Sequence, residues 1–138
     1  MKKRTPVSEI MSTDLVTLNS TDTLEAAEKL FKKHKIKHIP VVNNKEIIGM
    51  LSYSDILRIS FADVSDDEKS IDAFVYDLFT IPQVMAKNVF MVPPYATIKE
   101  VAELLAKKSF HALPVVEDNE LVGIVTTTDL IKYLIAQY

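Results

Sequence analysis

The residues best suited to chemistry lie in two similar stretches. They read GMLSYSDIL at 49–57 and GIVTTTDLI at 123–131, and each places a hydroxyl side chain three positions before an aspartate. This spacing is typical of a capping box, in which the hydroxyl accepts from the aspartate's amide and the carboxylate reaches back to the hydroxyl residue's amide. A hydroxyl-rich helix start can also hold phosphate, and an exposed aspartate beside it can accept two hydrogen bonds from a ribose diol. The same residues could therefore cap a helix and bind a ligand. The two pairs are Ser52 with Asp55 and Thr126 with Asp129.

Capping alone leaves part of each stretch unexplained. Gly49 and Gly123 lie inside strand patterns, where glycine weakens a strand and often marks the close approach of another backbone or a ligand. Capping also does not require the additional hydroxyls at Ser54 and Thr128. These four residues favour a binding role beside the structural one.

Other site chemistries find little support in the sequence. His34 and His38 are four positions apart, but we expect His38 to begin a strand and no third metal ligand is evident, so no metal site is predicted. The chain contains no cysteine and only two glycines, which excludes thiolate chemistry and a glycine-rich phosphate loop. No serine has an identifiable base. We therefore expect a protein that is not an enzyme.

The composition narrows the class of partner. The net charge is −3 at pH 7, which does not suggest the basic surface of a nucleic-acid-binding protein. No apolar run approaches the about 20 residues that a membrane span needs, and no secretory signal is evident. We expect a soluble, cytoplasmic domain that binds neither nucleic acid nor membrane.

The elements that position these residues are organised by an internal repeat. A shift of 74 positions places Gly49 on Gly123 and Asp55 on Asp129, and the match runs without a gap from Ile10 to Ile59. A single copy of about fifty residues could bury little apolar surface alone, so two copies must share a core. The predicted organisation is a first repeat at 7–59, a linker at 60–83 and a second repeat at 84–138.

Each repeat predicts the element order βαββα. The first strands are predicted at LVTL (15–18) and VFMV (89–92), and the helices that follow are predicted to be capped at Asp22 and Thr97. Two further strands joined by a tight turn and a closing helix complete each copy. The fold class is therefore α+β, with two βαββα repeats packed through their sheets in pseudo-two-fold symmetry. Such packing would leave two clefts between the halves, where ligands are often bound.

The linker predicts an amphipathic helix. Its apolar residues recur at helical spacing, and this helix could pack on the chain's own core or contact a second subunit. The apolar residues of this stripe are Ile71, Phe74, Val75, Leu78 and Phe79.

The duplicated unit, with HIPVV…GMLSYSDI and ALPVV…GIVTTTDL, resembles the tandem CBS-domain (Bateman) module from Val7 to about Leu134. The resemblance implies a compact module that often dimerises and binds adenine nucleotides or related adenosyl ligands between its repeats. AMP, ADP, ATP and S-adenosylmethionine are the ligands it suggests. It also implies that Asp55 and Asp129 hold ribose. Neither copy has an arginine before its hPVV strand, a departure from strong phosphate binders of this family.

The resemblance assigns the remaining site residues by position. Hydroxyls at Ser52, Ser54, Thr126 and Thr128 would line the ribose and phosphate region, and Lys37, His38 and His111 would meet phosphate. Thr17, Ile39 and Leu113, with the neighbouring Pro40 and Pro114, would face adenine, partly through backbone groups. The two sites should be unequal, because Lys37-His38 in the first copy corresponds to His111-Ala112 in the second.

The resulting prediction is a regulatory module that binds an adenosyl ligand and signals to an unidentified regulated protein or through its own assembly. A homodimer is expected, because the closing helix at 129–138 carries more apolar surface than one repeat easily buries. The alternative is a structural or interaction homodimer whose clefts bind nothing.

Overall fold

Two compact units make up the chain, and each is assembled around one repeat. The computed structural model describes residues 4–62, 76–108 and 111–138. The first-repeat unit is Val16–Asn88, and the second-repeat unit combines Met1–Leu15 with Val89–Tyr138. The N-terminal segment, which includes the first residues of the first sequence repeat, thus belongs to the unit of the second repeat. The boundaries 7–59, 60–83 and 84–138 describe repeats of sequence and remain a prediction.

The first-repeat unit contains a three-stranded sheet in the order β1-β2-β3. β1 runs parallel to β2, and β2 is antiparallel to β3. The elements are β1 (Leu18–Asn19), α1 (Leu24–His34), β2 (His38–Asn43), β3 (Glu46–Ser52), α2 (Tyr53–Ala62) and the short helix α3 (Ile81–Val84).

The second-repeat unit is built on the antiparallel hairpin of β4 and β5. A short 3₁₀ helix, Val7–Glu9, belongs to this unit and comes from the other end of the sequence. Its further elements are α4 (Ile98–Lys107), β4 (Ala112–Glu117), β5 (Glu120–Thr126) and α5 (Thr127–Ala136). Two small sheets with helices confirm the predicted α+β class.

Neither first strand has its predicted range, since only Leu18 of LVTL lies in β1. VFMV forms no strand, and only Val92 makes an isolated parallel bridge, to Val115. Val92 donates to the Pro114 carbonyl (3.1 Å) and accepts from the Val116 amide (2.9 Å). The next ladder bond would need the amide of residue 94, which is a proline and has no N–H. In the first repeat, where this position is a serine, pairing continues from Leu18 to Asn19.

Both hairpins turn as the sequence predicts. Asn44 has φ 60°, and Asp118 and Asn119 have φ 53° and 65°, values that asparagine and aspartate tolerate because their short side chains bond locally. Each hairpin also has a register shift at the same place, after Val41 in one and Val115 in the other. The duplication therefore preserves the irregularity as well as the strands.

The helix starts differ from the prediction at one cap. Thr97 and Glu100 form the predicted capping box of α4. The cap of α1 is Thr23 rather than Asp22, since the Thr23 hydroxyl accepts from the Ala26 amide at 3.0 Å. Asp22 Oδ2 instead accepts from the Asn19 amide at 2.8 Å, which stabilises the preceding turn.

Each unit has its own apolar core. The fully buried side chains of the first-repeat core include Leu18, Leu24, Ile39, Val41, Leu51, Ile56 and Ile81. The second-repeat core includes Val7, Val92, Val101, Leu113, Val115 and Val125.

Two lead-in segments, residues 5–12 and 79–86, each add to the hairpin of the repeat that does not follow them. Ser12 and Ile124 exchange two backbone hydrogen bonds (2.8 and 3.0 Å), and Ala86 and Met50 exchange another two (2.9 and 3.0 Å). Val7 and Ile81, which are 74 positions apart, are both fully buried beside these bridges. The lead-in segments are therefore structural parts of the opposite repeat's unit.

The predicted linker helix is only partly within the described residues. Ile71, Phe74 and Val75 lie outside them. Leu78 and Phe79 are 54% and 39% exposed, so these two do not pack in the chain's own core. The other alternative, contact with a second subunit, stays a prediction. Tyr76 is buried instead, and its hydroxyl donates to Glu28 of α1. Residues in the described ranges form no helix that is long and apolar enough to cross a membrane.

Candidate functional site

The polar residues of the first repeat converge at the open end of the β2–β3 hairpin. His38 is paired with Ser52 across the hairpin, and the Tyr53 amide donates to the Lys37 carbonyl at 2.9 Å. The Asp55 amide donates to Ser52 Oγ at 3.1 Å, and the Ser52 amide donates to Asp55 Oδ2 at 3.0 Å. The end of the hairpin and the start of α2 thus form one polar group, which we call the Asp55 site.

The second repeat builds the same arrangement at the end of β5. The Thr126 amide and hydroxyl donate to Asp129 Oδ2 at 2.9 and 3.2 Å, and the Asp129 amide donates to Thr126 Oγ1 at 3.2 Å. The Thr127 amide donates to the His111 carbonyl at 3.0 Å, which fixes His111 beside them. We call this group the Asp129 site. The capping interpretation of both motifs is confirmed.

The glycines of the two motifs are explained by the lead-in segments. A Cβ on Gly49 would lie 2.3 Å from Met85 Sδ and 2.8 Å from the Ala86 carbonyl oxygen, and a Cβ on Gly123 would lie 2.4 Å from Met11 Sδ. Each glycine makes room for a methionine in the unit to which it belongs. The close approach predicted for these positions is therefore that of another segment of the chain.

The additional hydroxyls remain available to a ligand. Ser54 and Thr128 are exposed near the starts of α2 and α5. Neither side chain hydrogen-bonds to another residue within the described ranges. Their positions agree with a binding role, which stays a prediction.

The residues expected to face adenine are mostly enclosed in the cores. Ile39 and Leu113 are almost fully buried in the two hydrophobic cores, and Pro40 and Pro114 are buried beside them. Only their backbone groups could meet a ligand, and the Pro114 carbonyl already accepts from Val92. Thr17, one residue before β1, is exposed.

The basic residues differ in exposure. Lys37 and His111 are exposed, whereas His38 is half-buried at the start of β2. Because His38 begins this strand and His34 ends α1, the two histidines do not share one helical face.

The two aspartates differ in what their second oxygen contacts. The Arg58 guanidinium contacts Asp55 Oδ1, and the Asp55 side chain is only 14% exposed. Residue 132, at the position equivalent to Arg58, is a lysine, and it forms no ion pair within the part of the chain that is described. Asp129 Oδ1 has no hydrogen-bond partner among those residues. Sequence reasoning missed Arg58, although comparing the repeats shows the change from arginine to lysine.

Comparison with known proteins identifies the family of the chain. The sequence matches the family model described as CBS domain twice, over residues 7–62 and 80–136. Among similar proteins, MJ1225 of Methanocaldococcus jannaschii is 30% identical over 130 residues. The match covers 94% of this chain but 42% of MJ1225, so the chain spans less than half the length of that relative.

Solved structures share the fold along nearly the whole chain. AcuB from Vibrio cholerae superposes with a TM-score of 0.79 at 30% identity, covering 96% of this chain and 91% of AcuB. The CBS domain pair of protein MJ0100, solved in complex with 5′-methylthioadenosine and S-adenosyl-L-methionine, has a TM-score of 0.77 at 27% identity. That match covers 94% of this chain and 99% of the MJ0100 pair.

Proposed function

Because the chain belongs to the CBS domain family and contains two copies of the domain, we propose that it is a regulatory module that binds an adenosyl small molecule. In this role the chain is not an enzyme. Ligand binding changes the activity of a partner protein or the assembly state of the chain itself. A ligand can do this only if it binds one conformation or assembly more tightly than another.

The observation that carries the proposal is the polar group at the end of each hairpin. A carboxylate, exposed hydroxyls and a basic residue lie together at both the Asp55 site and the Asp129 site. A carboxylate accepts hydrogen bonds from the two hydroxyls of a ribose, and the hydroxyl and basic groups suit a phosphate or other polar substituent. The adenosyl compounds bound by the similar MJ0100 pair support this class of ligand.

The proposed roles are those that the resemblance to the CBS family implies. Asp55 and Asp129 bind ribose, and Ser52, Ser54, Thr126 and Thr128 line the ribose and its 5′ substituent. Lys37, His38 and His111 are closest to that substituent, and Thr17 with the backbone at Ile39, Pro40, Leu113 and Pro114 contacts adenine.

A panel of ligands tests the proposal directly. Thermal unfolding is measured with AMP, ADP, ATP, S-adenosylmethionine and 5′-methylthioadenosine. A ligand present at 100 times its Kd should stabilise the chain by about 2.7 kcal/mol. The absence of any shift at millimolar concentration contradicts the proposal.

Asparagine substitutions separate binding from capping. Asp129→Asn keeps the size of the side chain and one acceptor oxygen, so the unliganded protein should lose only a few tenths of a kcal/mol. A ribose contact to a charged acceptor is worth about 1.5–3 kcal/mol, so affinity should fall about tenfold or more. Calorimetric titration of Asp55→Asn, Asp129→Asn and the double variant measures this. A double variant that binds as tightly as the parent would show that both aspartates act only as caps.

A second candidate function is a structural or interaction homodimer that binds no ligand. The exposed apolar face of α5 favours it, since Ile131 and Ile135 are 56% and 66% exposed and Leu134 is also exposed. A second copy of the chain is the proposed occupant, because identical apolar faces close into a two-fold pair. Both candidates include this dimer, and only the ligand panel distinguishes them.

A further inference from the structure

We infer that the two proposed ligand sites are unequal because Arg58 occupies an oxygen of Asp55 that a ribose would use, whereas the same oxygen of Asp129 is open. This inference rests on the proposed function. The Asp129 site is then the preferred one, and at the Asp55 site the Arg58 side chain competes with the ligand.

The hydrogen-bond pattern of each aspartate supports the first step. In both repeats Oδ2 is engaged by the capping box, at 3.0 Å from the Ser52 amide and at 2.9 Å from the Thr126 amide. A ribose diol therefore depends on Oδ1 for its best acceptor. Arg58 already contacts this oxygen in Asp55, so the ligand has to displace the guanidinium.

The residue types explain why the second repeat differs. Arginine has a planar group with several donors and pairs well with a carboxylate from one helical turn away, whereas lysine is a flexible, strongly hydrated cation. Lys132 stands where the repeat places Arg58, is exposed, and forms no ion pair within the described residues. The difference of one residue type thus leaves the Asp129 carboxylate open.

The size of the effect follows from the exposure of the pair. The Arg58 side chain is 74% exposed, and such solvent-exposed ion pairs contribute up to about 1 kcal/mol. At about 1.4 kcal/mol per tenfold change, the competition lowers affinity at the Asp55 site by about fivefold at most. For a ligand without phosphate, which does not depend on Lys37, His38 or His111, the Asp129 site therefore fills first as ligand concentration rises.

The test isolates each site and uses a probe without phosphate. 5′-Methylthioadenosine has the ribose diol but no negative charge, so the positive charge of Arg58 cannot attract it and obscure the competition. Asp129→Asn leaves the Asp55 site as the working site, and Asp55→Asn leaves the Asp129 site. Each background is titrated calorimetrically with and without a change at the adjacent cation.

Removing the two cations should have different effects on affinity. In the Asp129→Asn background, Arg58→Ala should raise affinity by up to about fivefold, the free energy of the exposed pair. In the Asp55→Asn background, the matched control Lys132→Ala should change affinity by less than about twofold, and Lys132→Arg should lower it by up to about fivefold. 2′,3′-Dideoxyadenosine lacks the diol. Its affinity for the Asp129→Asn protein should therefore not rise when Arg58→Ala is added.

Two outcomes are decisive against the inference, and they differ from failure of the proposed function. Arg58→Ala that leaves affinity at the Asp55 site unchanged or weakens it overturns the competition, and so does Lys132→Arg that leaves affinity at the Asp129 site unchanged. A parent that binds no member of the adenosyl panel overturns the proposed function itself, and the inference with it.

Discussion

At the scale of single residues, the two motif glycines should differ in how they tolerate a methyl group. At Gly123 the three nearest atoms to a new Cβ all belong to the Met11 side chain, but at Gly49 one is the backbone oxygen of Ala86. A side chain can turn away, whereas that carbonyl is held by its bond to Met50 (3.0 Å). Gly49→Ala should therefore cost more than Gly123→Ala, within the about 1–3 kcal/mol typical of overpacking.

A double-mutant cycle checks this explanation. Met11→Ala removes all three close atoms, so Gly123→Ala should be nearly neutral in that background, while Met85→Ala should relieve Gly49→Ala only in part. Denaturant unfolding of the single and double variants gives the coupling energies. Equal costs at the two glycines would contradict the role of the Ala86 carbonyl.

Glu28 should make stability depend on pH in the acid range. Burial by itself would raise the pKa of Glu28, but hydrogen bonds from Lys32 and Tyr76 and the charge of Lys32 outweigh it, so the pKa is lowered from 4.5. Since the pKa is lower in the folded state, the stabilisation is present above about pH 4.5 and is lost as pH falls through the folded value.

Melting temperature as a function of pH tests the role of Glu28. Glu28→Gln should lose less stability than the parent below about pH 4.5, because it has no carboxylate to protonate. Glu25→Gln is the matched control, since Glu25 forms an exposed i,i+4 pair with Lys29. If the melting temperatures of the parent and Glu28→Gln fall equally below about pH 4.5, Glu28 is not the source of the pH dependence.

At the scale of elements, the lead-in segments predict a crossed effect of mutation. Val7 lies at the start of the first sequence repeat but is buried in the core of the second-repeat unit, and Ile81 lies just before the predicted start of the second repeat but is buried in the core of the first-repeat unit. Val7→Ala should cost about 2 kcal/mol and Ile81→Ala about 2–5 kcal/mol. Hydrogen exchange should become faster at the Ile124 amide in Val7→Ala and at the Met50 amide in Ile81→Ala. Faster exchange in the β2–β3 hairpin of Val7→Ala, or in the β4–β5 hairpin of Ile81→Ala, would contradict the crossed arrangement.

The elements also show what the sequence can and cannot predict. Both hairpins, their turns and the capping boxes follow from local signals, such as Asn44 at a positive φ and aspartate three residues after a hydroxyl. The partners of Gly49 and Gly123 could not be predicted in this way. A glycine in a strand pattern indicates that another group approaches closely, but not which segment of the chain it belongs to. The repeat could have corrected the cap of α1, since Thr23 lies 74 positions before Thr97.

The candidate site was predictable to a similar extent. The residues at the hairpin ends follow from the motif, and the structure brings Ser52 and Asp55 together as expected. The contact of Arg58 with Asp55 depends on side-chain conformations that no periodicity encodes.

At the scale of the whole molecule, the exposed face of α5 predicts the mass of the particle in solution. Light scattering should give twice the 15.6 kDa of the chain, because a dimer would cover the exposed apolar side chains of this helix. Ile135→Asp should shift the mass towards that of one chain, since a charge would have to be buried at the contact. Lys132→Asp, on an exposed polar position of the same helix, is the control. A parent with the mass of a single chain at all micromolar concentrations would contradict the dimer.

Each lead-in segment packs in the unit of the opposite repeat, and this arrangement also determines where related chains can recombine. A chimaera joined at 15/16 and 88/89 transfers Val16–Asn88 as one block, so Met85 keeps Gly49 and Met11 keeps Gly123. A single crossover between residues 59 and 79 would instead take each methionine and its glycine from different parents. Each hairpin would then pair with a lead-in segment of the other parent. Evolution by shuffling should therefore favour inheritance of the continuous block over inheritance of a single repeat.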